Sequence, residues 1–147
     1  MPKGLSLTID ALSALFAAAS VTIVGYCWPY IPDQIPTHFN MQGEPDGWGG
    51  KGTLLFIAAA CVGLFAMLSI APRYPHLINV PGERTERKID ISINMLRVLK
   101  LITSAMMAWI IWGMAHGQSL GPWMLGFVAA IVAVLGFSFY QMSQDAR

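Results

Sequence analysis

The chain has 147 residues, of which 55% are hydrophobic and only 12% charged, with a net charge of +1 and a mean hydropathy of +0.55. Soluble domains carry roughly 25% charged residues, so an ordinary water-soluble domain is excluded. No basic patch interleaves with aromatics on a soluble face, which argues against nucleic acid as a partner.

The charge deficit is concentrated in four apolar blocks. Crossing a hydrocarbon core of ~30 Å takes about 20 mostly apolar residues. Residues 11–28, 53–71 and 120–140 meet that length outright. The remaining block, 101–115, becomes a span of 97–115 if Arg97 and Lys100 snorkel to the interface. The pattern predicts an all-α integral membrane protein: a four-transmembrane-helix bundle with a structured extracellular Pro/Gly-rich loop between helices 1 and 2. In chain order, residues 1–10 form a short leader with Lys3 and Asp10. The first span is longer than the apolar core of a signal peptide, which favours a retained span over a cleaved one. Ala14, Ala18, Thr22 and Gly25 give it a small-residue face of the kind that lets helices approach in lipid. Ala59 and Gly63 repeat this in the second span, and Gly126, Ala130, Ala133 and Gly136 in the fourth. Cys27 and Cys61 lie at different depths and read as small apolar residues rather than a disulfide.

The loop at 29–52 is more elaborate than a connection requires. Pro29, Pro32 and Pro36 rule out a continuous helix, and Glu44-Pro45-Asp46-Gly47 reads as a tight turn with Gly47 free to take positive φ. The segment 72–96 opens on two proline breaks. From Glu83 it reads as a helix running into the third span, with Ile89, Ile93, Leu96 and Leu99 on one stripe and Glu83 and Arg87 paired four apart. Lysine and arginine counts set the orientation. Residues 72–100 carry six of them (Arg73, Arg84, Arg87, Lys88, Arg97 and Lys100), the first loop only Lys51, and the loop before the fourth span none. The expected topology is therefore a multi-pass protein of the plasma membrane with 72–96 and both termini in the cytoplasm. Trp28, Trp48, Trp109, Trp112 and Trp123 would then form an aromatic belt at the outer boundary.

Pro32, Asp33, Ile35, Pro36 and His38, followed by Gly43, Asp46 and Lys51, resemble the signature of a bacterial and archaeal membrane family, the domain of unknown function 1648: Pro-Asp-x-Ile/Val-Pro-x-His, a Gly-x-x-Asp turn and a closing Lys. Asn40 belongs to the same run. The resemblance covers the loop and its flanking spans. In that family the module also forms the front half of SdpI-type proteins, which are linked to immunity against a secreted peptide toxin and to signalling its presence. This chain has no counterpart of their further spans. The resemblance implies a binding, sensing or immunity-type membrane module.

Three readings compete for the loop residues Pro32, Asp33, Pro36, His38, Asn40, Gly43, Asp46 and Lys51. In the first the loop is a folded cap, with the acids holding turn amides and Lys51 paired to an acid or a lipid phosphate. In the second it binds an extracellular peptide or a lipid-derived ligand, backed by Tyr26 and the five tryptophans as a concave aromatic surface. In the third, His38 with Asp33, Asp46 and His116 holds a metal for a membrane enzyme or transporter component, although no spacing is diagnostic. A structural or accessory subunit of a membrane complex is a further alternative. No residue pattern implies a cofactor, and no nucleophile or mid-membrane acid pair suggests catalysis; Ser13, Ser20, Ser69, Thr103 and Ser104 read as packing hydroxyls. His76, Arg84, Arg87 and Lys88 read as a solvated or headgroup-facing surface, with docking of a protein partner as the less favoured use. The lipid bilayer is the one partner composition demands. Oligomeric state is not legible.

Overall fold

The computed structural model describes residues 1–144. Among these, four helices are long and apolar enough to cross a membrane: α1 (Lys3–Cys27), α2 (Thr53–Ile70), α3 (Glu86–His116) and α4 (Trp123–Gln144). Helices satisfy their own backbone donors and acceptors, which is the condition for apolar surface to face lipid. Phe56, Val132, Phe137 and Leu15 are among the large apolar side chains left exposed along them.

Two boundaries differ from the expectation. Residues 3–10 are already helical: α1 begins at Lys3 with Pro2 at its N-cap, because the stretch before the apolar block holds no proline after Pro2 to stop it. Asp10 therefore sits inside the helix. α3 begins at Glu86 rather than Glu83, where Thr85 accepts a hydrogen bond from Lys88 N and caps the first turn. Glu83 precedes the helix, so it and Arg87 do not stand one helical turn apart. α3 ends at Gly117, which takes φ +62°.

The chain is not all-α. The loop after α1 folds into an antiparallel hairpin of β1 (Gln34–Phe39) and β2 (Pro45–Gly50). Both strands contain proline, which a two-stranded ribbon tolerates because each strand is an edge.

α3 is the centre of the bundle: α1, α2 and α4 all pack on it, while α4 packs chiefly on α3. The small-residue faces read from the sequence are not the packing faces. Ala14, Ala18, Thr22, Gly25, Ala59, Gly63, Gly126, Ala133 and Gly136 are exposed and Ala130 is half-buried. α1 instead buries Ser6, Ile9, Ser13, Ala17, Ser20 and Val24, and α2 buries Leu54, Ala58, Cys61 and Leu68. The serines explain the shift. Ser13 Oγ donates to Ile9 O at 2.7 Å and Ser20 Oγ to Phe16 O at 3.0 Å. With its proton returned to its own helix, a serine is as small as alanine at a helix contact. Cys61 Sγ meets Ser20 Oγ at 3.6 Å and ties α2 to this face.

The main core lies at the hairpin end. Val24, Leu54, Ala58, Ile111, Met114 and Ala115 from three helices enclose Ile31 and Ile35 from the loop. At roughly 1.5–3 kcal/mol for each large apolar side chain buried, the two isoleucines anchor the hairpin firmly to the bundle. At the opposite end, Arg84 donates to the carbonyls of Ile78 and Pro75. Lys88, only 2% exposed, donates to those of Pro81 and Glu83. Lys88 thus belongs to the interior of its loop and not to the solvated surface expected from sequence.

Candidate functional site

The hairpin is built from the motif residues upward. Its base is closed by Lys51, whose amide donates to Asp33 O at 3.0 Å while Nζ pairs with Asp33 Oδ1 at 2.9 Å. The ammonium also lies 5.6 Å from the Trp28 ring centroid, a cation–π distance. Pro36 is fully buried, and Pro32 is exposed in the entry to β1.

The turn is displaced from the expected position. Glu44–Gly47 does not reverse the chain; Pro45 and Gly47 are inside β2. Reversal occurs at Asn40–Glu44, where Asn40 N donates to Glu44 O and Gly43 N to Asn40 O, both at 2.9 Å. Asn40 Oδ1 accepts from the amides of Gln42 and Glu44 at 2.9 Å each, an Asx-type arrangement that holds the tip. Gly43, not Gly47, takes positive φ, at +78°. Gly47 is needed for a different reason: a Cβ there would lie 2.8 Å from His38 Cβ across the ribbon.

The tip is docked as well as folded. Gly43 O accepts from Leu120 N at 2.7 Å and from Ser119 Oγ at 2.8 Å, both in the α3–α4 connection. Trp109 Nε1 donates to Leu120 O at 3.1 Å and fixes that connection to α3.

His38 and Asp46 meet because the ladder is irregular. Pairing runs Pro36↔Trp48, His38↔Gly47 and Phe39↔Pro45, so Thr37 on β1 and Asp46 on β2 are each an extra residue. Bulges of this kind re-aim side chains. Here they bring His38 Nδ1 to 2.5 Å from Asp46 Oδ1, with the two side chains 75% and 43% exposed. Trp48, two residues after Asp46 on β2, is also exposed.

His116 is not part of this constellation. It stacks on Trp112 with centroids 3.8 Å apart and its Nδ1 lies 2.9 Å from Trp112 O. Among the described residues no group of three or more His, Cys, Asp or Glu is arranged to hold a metal ion. The aromatic residues do not form one concave surface either. Trp109 and Trp112 line an apolar groove of about 400 Å³ with Phe16, Ile23 and Phe127, and Tyr26, Trp28, Trp48 and Trp123 lie outside it.

A second polar cluster has no counterpart in the sequence reading. Lys100 is turned into the bundle: it is 4% exposed, and Nζ donates to Asp10 Oδ1 at 2.7 Å and Ser69 Oγ at 3.3 Å. An acid near the N-terminus and a lysine ninety positions later give no local signal. The available cue is an uncompensated charge in each of two helices that share one end of the bundle.

The comparisons with known proteins single out the same region as the hairpin. Residues 15–62 match the model of a family described as "Domain of unknown function (DUF1648)". The matched segment holds the whole hairpin, the second half of α1 and the first half of α2, so the region similar to that family folds here as a hairpin clamped between two membrane-length helices. An uncharacterized protein of Archaeoglobus fulgidus is 26% identical over 149 residues, which cover 89% of this chain and 79% of that protein. No solved structure matches the chain.

Proposed function

We propose that this is a plasma-membrane protein with the hairpin outside and both termini in the cytoplasm, and that the hairpin is a rigid recognition platform for an extracellular peptide or lipid-derived ligand. One observation carries the reading. Asn40, Gly43 and Pro36 are absorbed by the fold and Lys51 closes the hairpin base on Asp33, whereas His38 and Asp46 are aligned by two bulges and left open to solvent. A paired imidazole and carboxylate on the same hairpin as an exposed tryptophan offer a donor, an acceptor and an apolar face together. An immunity-type role is one form this takes, supported by the resemblance to the front half of SdpI-type proteins. α3 supplies a route for a signal, since Ile111 and Met114 pack under the hairpin and the same helix continues to Glu86 at the other end. Such coupling requires the ligand to favour one of two arrangements.

The test is a native pulldown of the full chain in detergent, with mass spectrometry of co-purifying peptide and lipid. His38→Ala and Asp46→Ala should lose a specific companion molecule while membrane level and thermal stability stay at wild type. Variants that retain the same companions place recognition elsewhere, and variants that vanish from the membrane make the pair structural. The packing of α4 on α3, with its other faces open, supports a second reading as an accessory subunit of a membrane complex.

A further inference from the structure

Away from the hairpin, Asp10, Phe65, Ser69, Arg73, Arg97 and Lys100 line a cavity of about 340 Å³, the low end of the ~300–1,000 Å³ range of small-ligand sites. Its charges do not balance. Three cations face one carboxylate, and that carboxylate is already matched by Lys100 at 2.7 Å. Arg97 Nε stands 4.0 Å from Asp10 Oδ2, too far for a hydrogen bond. Arg73 is exposed in the short 3-10 turn after α2 and has no ion pair or hydrogen bond among the described residues. Lys100 Nζ has used two of its three donors, and Ser69 Oγ accepts from it with its own proton uncommitted among the described residues.

The cluster's depth points to the missing charge. Asp10, Ser69 and Lys100 each lie ~24–26 Å along their helices from the hairpin end, at 1.5 Å per residue. In a hydrocarbon core of ~30 Å that is its far margin, next to the phosphate layer of the leaflet at that end. Unmatched positive charge is costly there, and an anion with several acceptor oxygens removes the cost while filling the guanidinium donors in pairs.

We propose that this pocket binds a phosphate group, seated between Arg73 and Arg97 and held also by the remaining N–H of Lys100 and the hydroxyl of Ser69. The group is supplied by a phospholipid headgroup or by free inorganic phosphate. The site is separate from the hairpin and does not depend on the reading given for it.

Native mass spectrometry of the full chain in detergent, titrated separately with phosphatidylglycerol and with inorganic phosphate, tests the proposal. Saturable binding of at least one probe is expected, and Arg73→Gln with Arg97→Gln should weaken it about tenfold for each charge-assisted hydrogen bond removed. Lipid binding that excess inorganic phosphate does not displace identifies a headgroup site; saturation by inorganic phosphate alone identifies a free-anion site. Wild-type affinity for both probes in the double variant, or no saturable binding of either probe to the wild type, overturns the proposal. If the double variant does not insert, Arg73→Gln alone serves, since Arg73 is exposed and supports no packing.

Discussion

Leu120 and Gly43 are joined by a 2.7 Å hydrogen bond from the amide of the first to the carbonyl of the second. This bond locks the tip of the hairpin to the connection between the last two helices. A Cβ on residue 43 would lie 2.3 Å from Gly121 O, at a φ of +78°. Gly43→Ala should therefore cost ~1–3 kcal/mol from the backbone conformation alone, with the collision added. Thermal unfolding in detergent reads the destabilisation, and hydrogen exchange at Leu120 reads the undocking. Wild-type behaviour in both would mean that the tip is not held in this way.

Within the hairpin, two changes that look alike on paper should differ. Lys51→Met removes a pair whose acid partner is 92% exposed, worth ~0–1 kcal/mol. Asn40→Ala removes the acceptor of two tip amides, each worth a net ~0.5–1.5 kcal/mol. A denaturation series should rank Asn40→Ala as the more damaging. The reverse order would mean that the base of the hairpin, not its tip, sets its stability.

Lys100→Met leaves Asp10 without its close partner. A fully buried pair broken this way costs ~3–5 kcal/mol, and the 38% exposure of Asp10 lowers the expectation to ~1–3 kcal/mol. Lys100→Met combined with Asp10→Asn should recover much of that stability, giving a coupling measurable in a double-mutant cycle. Additive effects would show that the two groups act independently.

On the proposed topology, Gln42→Cys in a background without Cys27 and Cys61 should react with an impermeant thiol reagent on intact cells. His76→Cys should react only after permeabilisation. The opposite pattern inverts the orientation and moves the hairpin inside.

The helical spans are legible because a run of apolar residues is a local signal, and the importance of residues 29–52 is legible because prolines and glycines accumulate there. What composition does not convey is the hairpin itself. Its strands depend on Ile31 and Ile35 finding the ends of three helices, a non-local condition, and its alternation is broken by Thr37 and Asp46 at the bulges. Pro45 and Gly47 carry a strong turn signal, yet the Asn40 side chain and the docking of Gly43 decide where the chain reverses. Small-residue spacing hides the serines that pack, because hydropathy scores an unbonded hydroxyl while Ser13 and Ser20 are bonded within their own helix. The same logic leaves Lys100 without a partner, since a local pattern cannot see an acid across the bundle.

The bond between Leu120 and Gly43 also fixes an order of events during synthesis. The hairpin leaves the ribosome long before the α3–α4 connection exists, and the floor on which Ile31 and Ile35 rest includes Ile111 and Met114 of α3. Until α3 is in place, the emerging hairpin has no complete surface to settle on, and until residue 120 has been added, its tip has no latch. The first two helices must therefore wait in the bilayer, or beside an insertion factor, with their connecting loop unsecured. Truncated chains released before residue 117 should be the forms that quality-control proteases cut within residues 34–50.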